Sequence, residues 1–191
     1  MNTKRSAIDP MPEYFDRYIN KIDDVELLEA FDLSLEEIDK VDVGKLRALK
    51  GQGYEPGKWT VNQVIGHIID WERILTYRTL LYARRTGAEP DGLDENLIAT
   101  NSNVNAIDVA DLLEELSAVR KSTRAMFAGF DGEMLTTTMK NWKYELSILA
   151  SGFMMLGHQK HHFGIIAERY YPLVNGDLRS ETNGFGNAAQ V

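Results

Sequence analysis

The chain carries 191 residues, 43% hydrophobic and 26% charged, with 29 acidic against 21 basic side chains and a net charge of −8. That balance suits one soluble domain with a sizeable core. It argues against a nucleic-acid or anionic-membrane surface, since either needs concentrated Lys and Arg.

The absence of cysteine excludes disulfides, thiolate metal sites and a cysteine nucleophile. The opening run MNTKRSAIDPMPEYFDRY has no apolar stretch like a signal-peptide core, and no window reaches the length of a membrane span, so a cytoplasmic protein is expected. Residues 1–10 are expected to be loosely ordered. Tyr14, Phe15, Tyr18 and Ile19 fall at helical spacing and predict a short helical arm that packs on the main body.

Asp24 is placed to cap a helix from Val25 to about Val41, with Leu27, Leu28, Phe31, Leu35 and Ile38 as its apolar stripe. Asp42 to Lys50 predicts a further short turn. The glycines and proline of GYEPGKW mark a loop. Thr60-Val61-Asn62-Gln63 then fits a capping box, and Trp59 and Val64 stand where a hydrophobic staple would place them. The helix that follows is expected to run to about Arg85, closed by Gly87 and Pro90.

After the loop GAEPDGLDENL, Asp108 predicts the cap of a third helix to about Ala128. A fourth helix is expected from Glu145 to Tyr170, stopped by Pro172. The tail from residue 173 to residue 191, rich in Gly and Asn, is expected to be loosely ordered. No strand pattern is evident. Four long helices give an all-α four-helix bundle with a short N-terminal arm, one domain whose core covers about 11–171.

The chain has only four histidines. His67 lies in the second long helix, and His158, His161 and His162 lie in the fourth. At about 100° per residue, His162 falls near 40° from His158, while His161 falls near 300°, toward the side of Glu168. His158 and His162 therefore border the apolar stripe together, and His67 borders its own. A lone histidine on an apolar face is usually a hydrogen-bonded core residue. Three such imidazoles without partners would each be costly to bury, and a metal would satisfy them together.

PGKWT at 56–60, GHIIDWERILTYRTL at 66–80, LDEN at 93–96 and GHQKHHFGIIAERY at 157–170 resemble the DinB-like (YfiT-like) superfamily of small damage-inducible bacterial proteins. The likeness covers most of the chain, and its decisive feature is one histidine on the second helix plus His-x3-His on the fourth. The resemblance implies a four-helix bundle holding a divalent metal (zinc, nickel or iron) on His67, His158 and His162, with His161 outside the ligand set. It also implies a homodimer. Phe153, Met154 and Met155 depart from the smaller or polar residues expected there, which bears on the pocket and not on the ligands.

Three histidines leave coordination positions open, as in catalytic metal sites. The expected function is a metal-dependent enzyme that activates a low-molecular-weight thiol or water for a small-molecule substrate, S-transferase-like or hydrolase-like. The competing reading is a non-catalytic metal-binding stress-response protein. Asp70 is a candidate to hold an imidazole N–H, with a solvated helix carboxylate as the plainer reading. Asp94 and Glu95 are open between approaching the site and capping a helix. Arg73 and Arg78 are open between binding an anionic substrate and surface pairing. Gly66, Gly157 and Gly164 are expected where helices approach closely.

Overall fold

The computed structural model describes residues 2–49 and 51–175. Four long helices form the body: α2 (Leu27–Asp39), α4 (Val61–Ala83), α6 (Val109–Ala128) and α8 (Ile148–Ile165). Both α2 and α4 pack against α6 and α8, so α2 and α4 stand on one diagonal of the bundle and α6 and α8 on the other. Shorter helices fill the connections: α1 (Asp16–Ile19), α3 (Val43–Ala48), α5 (Glu95–Asn101), α7 (Gly132–Thr136) and α9 (Tyr171–Asn175). The helical bundle expected from apolar spacing is the one observed.

Local chemistry accounts for the helix starts. Thr60 accepts the N–H of Gln63 while the Gln63 side chain accepts the N–H of Thr60, the complete capping box. Trp59 and Val64 join the same hydrophobic cluster. Asp42, Asp94, Asp108, Asp131 and Ser147 each accept a first-turn amide of the helix that follows.

Several boundaries differ from the sequence expectation. Helix α2 begins behind Glu26, because the Asp24 carboxylate is occupied by the Ser6 N–H at 2.8 Å. Glu26 in turn accepts the Thr3 N–H, and Ile8 is buried. Residues 2–10 are thus tied down, where loose order was expected. The helical run also continues past Pro172. Residues Ile166–Tyr170 form a π-helical segment that leads directly into α9. Proline inside a regular α-helix clashes with the carbonyl four residues back, and the wider π turn relieves that crowding. Of the expected loose tail, 173–175 are helical and 176–191 lie outside the described residues.

Two short strands, unforeseen in the sequence, precede α8. β1 (Thr138–Asn141) and β2 (Tyr144–Ser147) pair antiparallel, with Met139 opposite Leu146 and Asn141 opposite Tyr144. Their two-residue connection is Trp142-Lys143, with Trp142 at φ 57° in the left-handed region that glycine usually fills. The strands consume Glu145 to Ser147, so α8 starts at Ile148 and not at Glu145.

Two hydrophobic clusters fill the bundle. The first gathers Ile19, Phe31, Leu75, Phe153, Met155 and neighbours; the second gathers Ile65, Ile68, Leu112, Leu116, Ile166 and Tyr170. On α4 the changeover falls between Ile69 and Trp71, and on α8 between Leu156 and Phe163. His158, His161 and His162 occupy the α8 changeover, and His67 lies just before the α4 one, between Ile65 and Ile68 of the second cluster. If the Thr60 cap anchors α4 as the geometry indicates, Thr60→Ala should destabilise the protein by about 1 kcal/mol. Urea unfolding should show a lower midpoint at unchanged slope.

Candidate metal centre

His67 from α4 and His158 and His162 from α8 meet at one point. The Nε2 atom of His158 lies 3.0 Å from Nε2 of His67 and 3.0 Å from Nε2 of His162. One ligand atom from each of the three lies within 4.8 Å of the other two. His67 and His158 are only 4% and 8% exposed, and His162 is half-buried.

This arrangement is hard to satisfy by hydrogen bonds alone. A ring nitrogen offers either one N–H or one lone pair, yet His158 Nε2 faces two other nitrogens at the same short distance. A cation that accepts all three lone pairs removes the conflict. Three nitrogens held about 2.0–2.1 Å from a tetrahedral ion lie roughly 3.3 Å apart, close to the spacing seen. The donor set fits a divalent metal, and imidazole suits zinc, nickel and iron alike.

Electrostatics favour the same role. Burial holds His67 down at about pKa 4. Burial and then the neighbouring histidines take His162 down to about 3. His158 is pushed well below its ordinary value, first by burial and then by His162 and His67. All three are therefore neutral at pH 7, the form that carries a ligating lone pair.

Aromatic rings brace the triad. Trp59 and Trp71 flank His67, with centroids at 4.9 and 5.7 Å. Tyr18 of α1 sets its ring edge-on to both His158 and His161, at 5.6 and 5.4 Å. That approach needs Gly157, because a Cβ there would lie 2.0 Å from the Tyr18 carbonyl oxygen. Gly66 likewise makes room for Val104, whereas Gly164 has open space around it and no close approach to explain it.

His161 stands outside the ligand group. Burial lowers its pKa first; Lys21 and Arg17 act in the same direction and Glu168 opposes them. Asp70 faces Arg73 at 3.9 Å, and Arg73 also pairs with Glu115 at 2.7 Å. Its carboxyl is raised, chiefly by burial. Both thus follow the plainer reading, a helix-surface charge network.

The LDEN loop divides its roles: Asp94 caps α5, and Glu95 lines a cavity beside the triad. That cavity holds about 250 Å³ and is walled by Phe15, Tyr18, Trp71, Arg78, Met154 and His158 among others. Asn141 and Trp142 of the hairpin complete it. Neither was singled out from the sequence, because four-residue strands joined without Asn-Gly leave no turn signal. Met154, one of the bulky departures before the histidine motif, forms part of the wall, while Phe153 and Met155 are core residues.

With this geometry established, comparison places the chain in a class. The family model of the DinB superfamily matches residues 7–166, and the chain belongs to that family. Among solved structures it is similar to YfiT from Bacillus subtilis, described as a probable metal-dependent hydrolase with an unusual four-helix bundle topology. The two superpose with a TM-score of 0.62 at 18% identity, covering 86% of this chain and 89% of YfiT. No curated protein matches. No helix among the described residues is long and apolar enough to cross a membrane.

Two outcomes follow from the site. His67→Ala, His158→Ala and His162→Ala should each strip or greatly weaken metal binding, whereas His161→Ala should keep most of it; metal stoichiometry and affinity of the four variants in one buffer give the comparison. In the metal-free protein the buried histidines stay neutral where the unfolded chain takes up protons. Stability should therefore be unaffected by them above pH 6.5 and fall as pH drops toward about 4 for His67 and about 3 for His162. Urea midpoints measured down this range should show the decline, with a shallower slope in His67→Gln.

Proposed function

We propose that the protein is a metal-dependent enzyme in which His67, His158 and His162 hold a divalent ion that activates water or a low-molecular-weight thiol for attack on a small substrate. The observation that carries this reading is the convergence of three neutral Nε2 atoms beside a cavity that reaches His158. When bound, such an ion supplies Lewis acidity and lowers the pKa of a ligated water or thiol.

The protein's own groups do the rest. Phe15, Tyr18, Trp71 and Trp142 contribute apolar surface to the cavity wall, and low-dielectric surroundings strengthen polar interactions beside them. Trp59 and Trp71 hold the His67 ring in place. Burial raises the Tyr18 hydroxyl pKa; Arg17 opposes it, and Tyr14 and then Glu95 act in the same direction as burial. Tyr18 lines the cavity, and its hydroxyl accepts a hydrogen bond from Arg17 Nη2 at 3.2 Å.

Support for a hydrolytic outcome comes from the description of YfiT; thiol activation uses the same open coordination positions. A homodimer belongs to this proposal and rests on the family alone. The test is turnover of an activated ester such as p-nitrophenyl acetate, and of monochlorobimane in the presence of a low-molecular-weight thiol, with the zinc-loaded protein. Either activity should vanish on chelation, return on metal addition, and be lost in His158→Ala. Stoichiometric metal with neither activity favours the non-catalytic metal-binding reading.

A further inference from the structure

Arg78 is the unusual charge in the cavity. It is 5% exposed, it lines the same space as His158, and it donates from Nη2 to the Asp91 carbonyl. Among the described residues no carboxylate forms an ion pair with it, in contrast to Arg120, which is fully buried and paired with Glu72. A buried cation is costly without a counter-charge. A guanidinium presents five N–H donors in a planar fork that matches a carboxylate.

Its position along α4 is equally telling. His67, Trp71, Ile74 and Arg78 recur at steps of four, three and four, which keeps them on one face of the helix. Eleven residues at 1.5 Å each put the Arg78 backbone roughly 16 Å along the axis from His67, and helical side chains tilt toward the N-terminal end, here toward the triad. Trp71 and Ile74 line the stretch between. Asn141, only 9% exposed, adds an amide to the same space. Glu95, exposed and also on the lining, places a negative charge there that disfavours a ligand with a second acidic group.

We propose that this cavity is a substrate subsite for an elongated monocarboxylate with an apolar body, its carboxylate held by Arg78 and its far end presented to the histidine triad. The inference deepens the enzymatic reading above and rests on it for the role of the triad, but binding at Arg78 is measurable without metal.

The probe is 4-phenylbutyrate, compared with its neutral isostere 4-phenylbutyramide, followed by calorimetry and by fluorescence of Trp71 and Trp142 in the wall. The acid should bind more tightly than the amide to both the metal-free and the zinc-loaded protein. Arg78→Met should weaken the acid about 10- to 100-fold, as expected for loss of a charge-assisted pair, with zinc stoichiometry unchanged. Arg78→Lys should recover part of the loss, and Glu95→Gln should admit a dicarboxylate that the wild type rejects. Equal binding of acid and amide to the wild type overturns the proposal, and that comparison needs no variant to fold. So does acid binding that appears only with zinc and ignores Arg78→Met, which would place the carboxylate on the metal. Arg78-dependent binding in a protein that fails to hold zinc sustains the subsite while removing the metal reading.

Discussion

One buried ion pair holds the four long helices in register. Arg120 on α6 binds Glu72 on α4 through Nε and Nη2, at 3.0 and 2.8 Å to the carboxylate. Its Nη1 donates to Ser34 on α2 at 2.9 Å, and the Ser34 carbonyl accepts the Gln159 amide of α8 at 3.0 Å. A single chain of polar contacts thus touches every helix of the bundle. Both charges of the pair are essentially inaccessible to water. A buried pair adds little net stability over apolar packing, yet removing one partner costs about 3–5 kcal/mol. What such a pair contributes is direction: apolar side chains tolerate sliding by a turn, and this network does not. Gln159 is the neighbour of His158, and Glu72 lies five residues from His67, so the contacts that fix the helices also fix where the imidazoles point.

The arm extends that logic to the other side of the triad. Helix α1 is only four residues long and could not persist alone. It is held because Gly157 lets its backbone rest directly on α8 and because Phe15 and Ile19 enter the first core cluster. In exchange, the Tyr18 ring packs edge-on against His158, which is 8% exposed. Depressed histidine pKa values and a hydrophobic cavity wall are two results of the same packing.

The cavity is assembled from segments far apart in the chain. The arm gives Phe15 and Tyr18, α4 gives Trp71 and Arg78, the loop before α5 gives Leu93, α5 gives Glu95, and the hairpin gives Asn141 and Trp142. Loops and short elements around a rigid bundle allow pocket shape to vary while the histidine-bearing helices stay constant. Trp142, 65% exposed and stacked edge-on with Tyr14 and Tyr144, shows how such a wall is built from the periphery inward.

Helical periodicity is a local property, and the sequence alone determined the four long helices, the Thr60 and Asp108 caps, and the separation of His158 and His162 from His161. The DinB family likeness was legible in short motifs on both loops and helices, and it implied the three ligand candidates, which lie on two continuous helices whose faces the spacing of residues defines. What the sequence could not decide was set by contacts between segments distant in the chain. Asp24 lost its capping role to Ser6, the Trp142 hairpin formed with no turn signal, and Pro172 was accommodated by a widened π turn. Arg78, Arg73 and Arg120 look alike in sequence; only burial and partners made one a cavity residue, one a surface pair and one the tie between helices. Charge on a side chain is local, but its desolvation and pairing belong to the tertiary fold.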